Sequence, residues 1–423
     1  MNTRKVFSYG NIVTILICLL PILSIYKFFV PGINLGDFLL MLVCIPRVLY
    51  CISHGEKLFK NFFLKHYFVG LCLVLLVSIL VRGIALPYSS FADQITRMIR
   101  IFFYCFVLVL LFPVFNVKLG LNITKIVTIV SAFAVIVQTF LYHFQGISFY
   151  FVLKNYVYSS EIYNLHYYDT IMSTGFMRAG GFFLEPSHFC QYAVIGLCFL
   201  LFNIKTLIDL LKVIFVTFAI VLAGSGVGYV CLLFILFLYF ISFLYERRNY
   251  LNWLFAFFLI VFAFGIIGAI SKIDYFTFVI NRFSLGQNES AIVWDSRMGS
   301  YYSLFESSNI FILGLGNGVG NTDGIHFYPS LAYILHCCGL LGLAAFILFG
   351  FLLLKHKITR HSTICIALTL VFFLMLSSTE IITNYWIIFY LVFVFQNDTR
   401  DFCYSGGFLA KNRFEKSIHF DTN

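Results

Sequence analysis

Apolar runs longer than about 18 residues recur along this chain, and each reads as a membrane-crossing helix, because about 30 Å of hydrocarbon takes about 20 residues at 1.5 Å each. The first such run extends from Asn11 to Val30. It is expected to persist as a membrane helix, not to be removed as a signal peptide, since no small-residue cleavage site follows it. A soluble chain of 423 residues would need polar residues to cover its surface, whereas 61% of these are hydrophobic and 11% charged. The apolar runs therefore have to lie in lipid.

Stretches of about 17–25 apolar residues predict helices near 11–30, 35–52, 67–86, 98–117, 123–142, 188–203, 206–223, 226–245, 252–270, 331–354, 361–377 and 380–396. The expected fold class is all-α: a polytopic membrane protein, one transmembrane domain over residues 1–423 with about twelve spans. Lys and Arg near helix ends are retained on the cytoplasmic side. Arg4 and Lys5 place the N-terminus inside, and alternation then puts Lys57, Lys60, Lys65, Lys118, Lys205, Arg247, Arg248, Lys355, Lys357 and Arg360 inside as well. A short cytoplasmic tail follows over 397–423, so both termini are expected in the cytoplasm. The net charge of +10 is thereby a topology signal with attraction to anionic membrane lipid, not a nucleic-acid site.

Two connections exceed the usual loop length of about 4–6 residues, at 143–187 and 271–330, and both fall on the outer face. Long ordered loops carry function. Cys18, Cys44, Cys72, Cys105, Cys198, Cys231 and Cys365 fall inside apolar runs and no Cys-x-x-Cys pair exists, so the cysteines read as packing residues. No metal or other cofactor is called for.

Arginines on the outer side stand against the topology rule and so need a reason: Arg82, Arg97, Arg100, Arg178, Arg282 and Arg297. Arginine grips phosphate with two donors at once. Arg97 and Arg100, spaced i, i+3, share a helix face; a salt bridge to Asp93 or an interfacial anchor is the plainer reading. The densest polar segment runs from Arg178 through Gly180-Gly181 to Glu185-Pro186-Ser187-His188 and Tyr192. Pro186 suits the first helical position, which puts Glu185 beside a helix start with His188 and Tyr192 on roughly one face below it. A helix start favours an anion, and a helix cap at the membrane interface is the alternative. In the second loop stand Tyr301 and Tyr302, ordinary residues of a membrane interface, and His326 is either a loop hydrogen-bonder or a catalytic group.

Arg178 followed by Gly-Phe-Phe-Leu-Glu185-Pro186-Ser187-His188 resembles the R…GFFxEPS segment of Wzy-type O-antigen and capsular polysaccharide polymerases. Arg297, Gly314-Leu-Gly316, Ser330-Leu and Gly339-Leu-Leu-Gly342-Leu are similar to the wider O-antigen ligase and polymerase superfamily. The resemblance implies a membrane glycosyltransferase that polymerises undecaprenyl-diphosphate-linked oligosaccharide units on the outer face of the bacterial inner membrane. A chain-length regulator and a flippase of the same pathway are the partners it implies. On this reading Arg178, Arg282 and Arg297 bind the diphosphate, with Arg97 and Arg100 as second choices, Glu185, His188 or His326 activates the acceptor, and Tyr301 and Tyr302 stack on sugar faces. Alternatives are an O-antigen ligase that transfers glycan to lipid A core and a lipid-linked oligosaccharide flippase. A flippase calls for a charged central cavity, whereas the expected spans hold almost no Asp, Glu, Lys or Arg away from their ends.

Overall fold

The structure, a computed structural model, describes residues 8–30, 32–85, 91–157, 178–204, 206–247, 310–316, 329–359, 363–378, 381 and 384–396. The expected helix at 252–270, most of the second large loop and the tail over 397–423 lie outside the described residues. Twelve helices are described: α1 Tyr9–Leu23, α2 Leu35–His54, α3 Phe62–Ala85, α4 Phe91–Leu111, α5 Val117–Gln145, α6 Pro186–Leu201, α7 Leu207–Leu222, α8 Gly226–Arg247, α9 Ile310–Leu315, α10 Ser330–Thr359, α11 Thr363–Ser378 and α12 Trp386–Val394. No strand occurs among the described residues, where pairing is limited to isolated bridges Tyr26–Val157 and Lys27–Asn34. The molecule is all-α. Among the described residues, three helices, Leu35–His54, Val117–Gln145 and Ser330–Ile358, are long and apolar enough to cross a membrane, and six shorter apolar helices accompany them.

Local chemistry sets several helix ends. Asn34 caps α2 by accepting from the Asp37 amide at 2.7 Å, and Thr206 and Asp209 form a reciprocal capping box on α7. The first helix stops at Leu23, seven residues before the end of its apolar run. Pro21 removes a ladder donor there, and the chain beyond is pulled into other pairings: Lys27 N donates to the Tyr156 carbonyl (2.7 Å) and Leu35 N to that of Tyr26 (2.8 Å).

Burial places α12 at the centre. Every residue from Trp386 to Val394 is buried, and the helix packs against α1, α4 and α11. Apolar on all sides, it has no face for solvent. Its nine residues reach only about 13 Å, so this helix is shorter than the expected run at 380–396. Tyr390 Oη donates to the Gln191 carbonyl of α6 (2.9 Å), locking the register between the two helices.

Contacts between helix ends sort the bundle into two poles. At one, Asn61 Nδ2 donates to the Phe395 carbonyl (2.9 Å), buried Lys357 donates to the Gln396 carbonyl, and Arg47 bonds the Leu110 carbonyl (3.3 Å). The starts of α3 and α5 and the ends of α2, α4, α10 and α12 lie there. Lys57, Lys60, Lys65, Lys118 and Lys355 are exposed near these helix ends. Glu56 lies between Arg47 and Lys60, and the hydrogen bond from Lys60, then that from Arg47, holds its carboxyl below the usual range. At the other pole are the ends of α1 and α5 and the starts of α2, α6, α10 and α12, joined in part by Ile381 N donating to Ser330 Oγ at 2.6 Å. Lys27 is exposed at this second pole.

Candidate functional site

The segment that resembles a polymerase motif sits at the second pole, and a single glutamine on α5 ties down its approach. Gln138, buried in the last third of α5, accepts from the Gly181 amide at 2.8 Å and donates to the Phe149 carbonyl at 2.9 Å. It thus clasps residues on both flanks of 158–177. Gly181 takes φ +63°, and a Cβ there would meet the Ser131 carbonyl oxygen at 3.0 Å and Val135 at 3.2 Å. Only glycine combines that backbone sign with so close an approach to α5. The turn closes as Phe183 N donates to the Gly180 carbonyl (3.0 Å).

Arg178, Ala179 and Gly180 are buried, so this arginine lies inside the fold and not on its surface. Glu185 is the N-cap residue of α6, in extended conformation, with Pro186 at the first helical position and the Phe189 amide donating to the Glu185 carbonyl at 3.2 Å. The glutamate side chain does not cap the helix; Ser187 Oγ donates to its Oε2 at 2.7 Å. Glu185, Ser187 and His188 are each half-buried. The His188 ring lies 6.1 Å from that of Trp386, and one turn on, Tyr192 stacks on Phe389 at 4.8 Å, so both face α12 as their spacing predicts. Tyr192 is fully buried, however, and its hydroxyl donates to the Cys18 carbonyl (2.9 Å), which makes it a core strut.

A second polar group stands at the same pole. Asp37, buried in the first turn of α2, accepts from the Tyr104 hydroxyl at 2.8 Å, and Arg100 Nη2 lies 3.6 Å from its other oxygen. The acidic neighbour of Arg100 that the structure describes is thus Asp37. Tyr385, next to Trp386 in the chain, stacks with it at 6.0 Å, and Trp386 meets His188. Tyr26, at the bridge to the loop, has its phenol pushed up by burial against an opposing hydrogen bond at Leu153.

Of the residues singled out in the sequence, Arg178, Glu185 and His188 share one short stretch at this pole, where Arg100 joins them. Arg97 lies on α4, but its side chain is outside the described residues. Arg282, Arg297, Tyr301, Tyr302 and His326 also lie outside the described residues. The glycine pairs of the second motif have a clear packing role. α10 breaks at Gly339 (φ 62°, ψ −165°), whose Cβ would meet the Gly314 carbonyl carbon at 2.5 Å, while one on Gly316 would meet the Cys337 carbonyl carbon at 2.4 Å. α9 and its flank therefore press backbone to backbone into the break. Among the described residues, no cluster of three His, Cys, Asp or Glu gathers as for a metal. The sequence matches no protein-family model and no curated protein.

Proposed function

We propose that this protein is a membrane glycosyltransferase that polymerises undecaprenyl-diphosphate-linked repeat units into O-antigen or capsular polysaccharide. On this proposal the chain crosses the bacterial inner membrane about twelve times, with the Glu185 pole outside and the Lys60 pole in the cytoplasm. One observation carries the reading: the polymerase-like segment from Arg178 to His188 leads into the start of α6, with Ser187 bonded to Glu185, at the pole opposite the cluster formed by Lys57, Lys60, Lys65, Lys118 and Lys355.

The chemistry needed there is limited, because a lipid diphosphate is already a good leaving group. The acceptor hydroxyl oxygen forms a bond to the anomeric carbon, the bond from that carbon to the diphosphate oxygen breaks with inversion, and the hydroxyl proton passes to Glu185. Arg178 and Arg100 offset the charge on the departing diphosphate, and Ser187 orients the carboxylate. His188 and Trp386 border the position of the acceptor sugar. Arg282, Arg297, Tyr301, Tyr302 and His326 belong to the same proposal on sequence grounds alone.

The test is the surface glycan of a strain that lacks the protein. Single repeat units on lipid A core or its equivalent are expected. Long chains that accumulate on undecaprenyl diphosphate indicate a ligase instead, and full-length surface polymer refutes both.

A further inference from the structure

Asp37 has no part in the transfer step just described, yet it is 5% exposed in the first turn of a helix long enough to cross a membrane. An ionisable group in such a place is costly and persists where it holds a partner. Three contacts define its setting. Its own amide is bound by the Asn34 cap, the Tyr104 hydroxyl donates to its Oδ1, and Arg100 Nη2 stands at 3.6 Å from its Oδ2. Tyr104 is itself 1% exposed, so carboxylate and phenol are both fixed in the core, while the Arg100 side chain is 43% exposed.

A pair of one buried and one exposed charge contributes little to stability, since desolvation of the carboxylate and solvent around the guanidinium offset the attraction. It does supply orientation: a guanidinium carries five donors in a planar fork, and a carboxylate that engages one edge sets the direction of the whole group. We propose that Asp37 is a positioning residue, which with Tyr104 holds the Arg100 guanidinium at the Glu185 pole for the diphosphate of the lipid-linked donor. The inference rests on the glycosyl-transfer reading, which supplies the anion.

The sign of one substitution separates positioning from bulk charge. Asp37→Asn keeps the shape and an acceptor for Tyr104, and makes the pole more positive by one charge. Simple attraction then requires tighter binding of a diphosphate, whereas loss of positioning requires weaker binding. The experiment is titration of the purified full-length protein in nanodiscs with undecaprenyl diphosphate, for wild type, Asp37→Asn, Tyr104→Phe, Arg100→Gln and the double variant of Asp37→Asn with Arg100→Gln. We expect about tenfold weaker binding for Asp37→Asn, the scale of one hydrogen bond to a charged group, and a smaller loss for Tyr104→Phe. The double variant should bind like Arg100→Gln alone, because Asp37 acts through that arginine. Unchanged or tighter binding by Asp37→Asn, or losses that add in the double variant, overturns the positioning role. If Asp37→Asn does not fold, normal affinity in Tyr104→Phe overturns it. A wild-type protein that fails to bind the lipid overturns both this role and the glycosyl-transfer reading.

Discussion

Glu185 caps α6 with its backbone and leaves its carboxylate to Ser187, a division of labour that decides what substitutions there should do. Glu185→Gln keeps the shape and an acceptor for Ser187 but cannot take a proton; Glu185→Asp keeps the charge and withdraws it by one methylene. On the proposed mechanism Gln cuts polymer synthesis at least about 100-fold, the scale of general base catalysis, Asp is weak, and protein abundance is unchanged for both. Polymer of normal rate and length from Glu185→Gln, measured on surface glycan, would reduce the residue to a helix cap. Arg178 is buried, so its test needs a fold control. Arg178→Lys should retain partial activity and Arg178→Ala none, at equal membrane protein level; loss of the Ala protein itself would mark the arginine as structural. The third residue is Gln138, whose bond from the Gly181 amide is buried, while its bond to the carbonyl of exposed Phe149 is half-buried. Gln138→Leu leaves the buried Gly181 donor unpaired, a cost of about 1–3 kcal/mol. Faster protease cleavage between residues 146 and 185, with intact helices by circular dichroism, is the expected readout.

At the scale of elements, polarity and spacing in the sequence were enough to place each expected helix that falls within the described residues, because an apolar run and its Asn, Thr or Pro punctuation are local signals. Pro186 marked the start of α6 correctly, and His188 and Tyr192 share the face their spacing implies. The stop of α1 at Leu23 was hidden, since Ile25 and Phe28 to Val30 continue the apolar run around Lys27, and the pairing of Tyr26 and Lys27 with residues 156–157 reveals the turn. Asp37 and Tyr104 lie 67 residues apart in sequence, so nothing local joins them, although the Asn34 to Asp37 spacing does mark a capped helix start. Nothing local in the sequence singles out Gln138, whose partners Gly181 and Phe149 lie 43 and 11 residues away. Gly314 and Gly316, which in the sequence belong to the superfamily-like motif, are where α9 meets the break in α10. Gly316→Ala places a methyl group against the Cys337 backbone at φ +83°, where neither backbone has a side chain to move aside. A loss of about 2 kcal/mol or more, seen as reduced detergent-resistant folded protein, is expected, and wild-type stability would contradict the contact.

For the whole molecule, Lys57, Lys60, Lys65, Lys118 and Lys355 are exposed at one pole, and labelling can check the orientation proposed from them. In a cysteine-free background, Asn155→Cys should react with a membrane-impermeant thiol reagent in intact cells, and Lys57→Cys only after permeabilisation; the reverse pattern would put the Glu185 pole in the cytoplasm and remove the mechanism from its substrate. The proposed orientation, arginine roles and Glu185 role all serve the one proposed activity. The most direct measurement of it gives the purified protein, in nanodiscs, single repeat units on undecaprenyl diphosphate extracted from a strain that lacks it. The account requires a ladder of longer lipid-linked glycans with release of undecaprenyl diphosphate, formed by the wild-type protein and not by Glu185→Gln. Units that remain single with the wild-type protein, or a ladder of equal rate from the Gln variant, would contradict it.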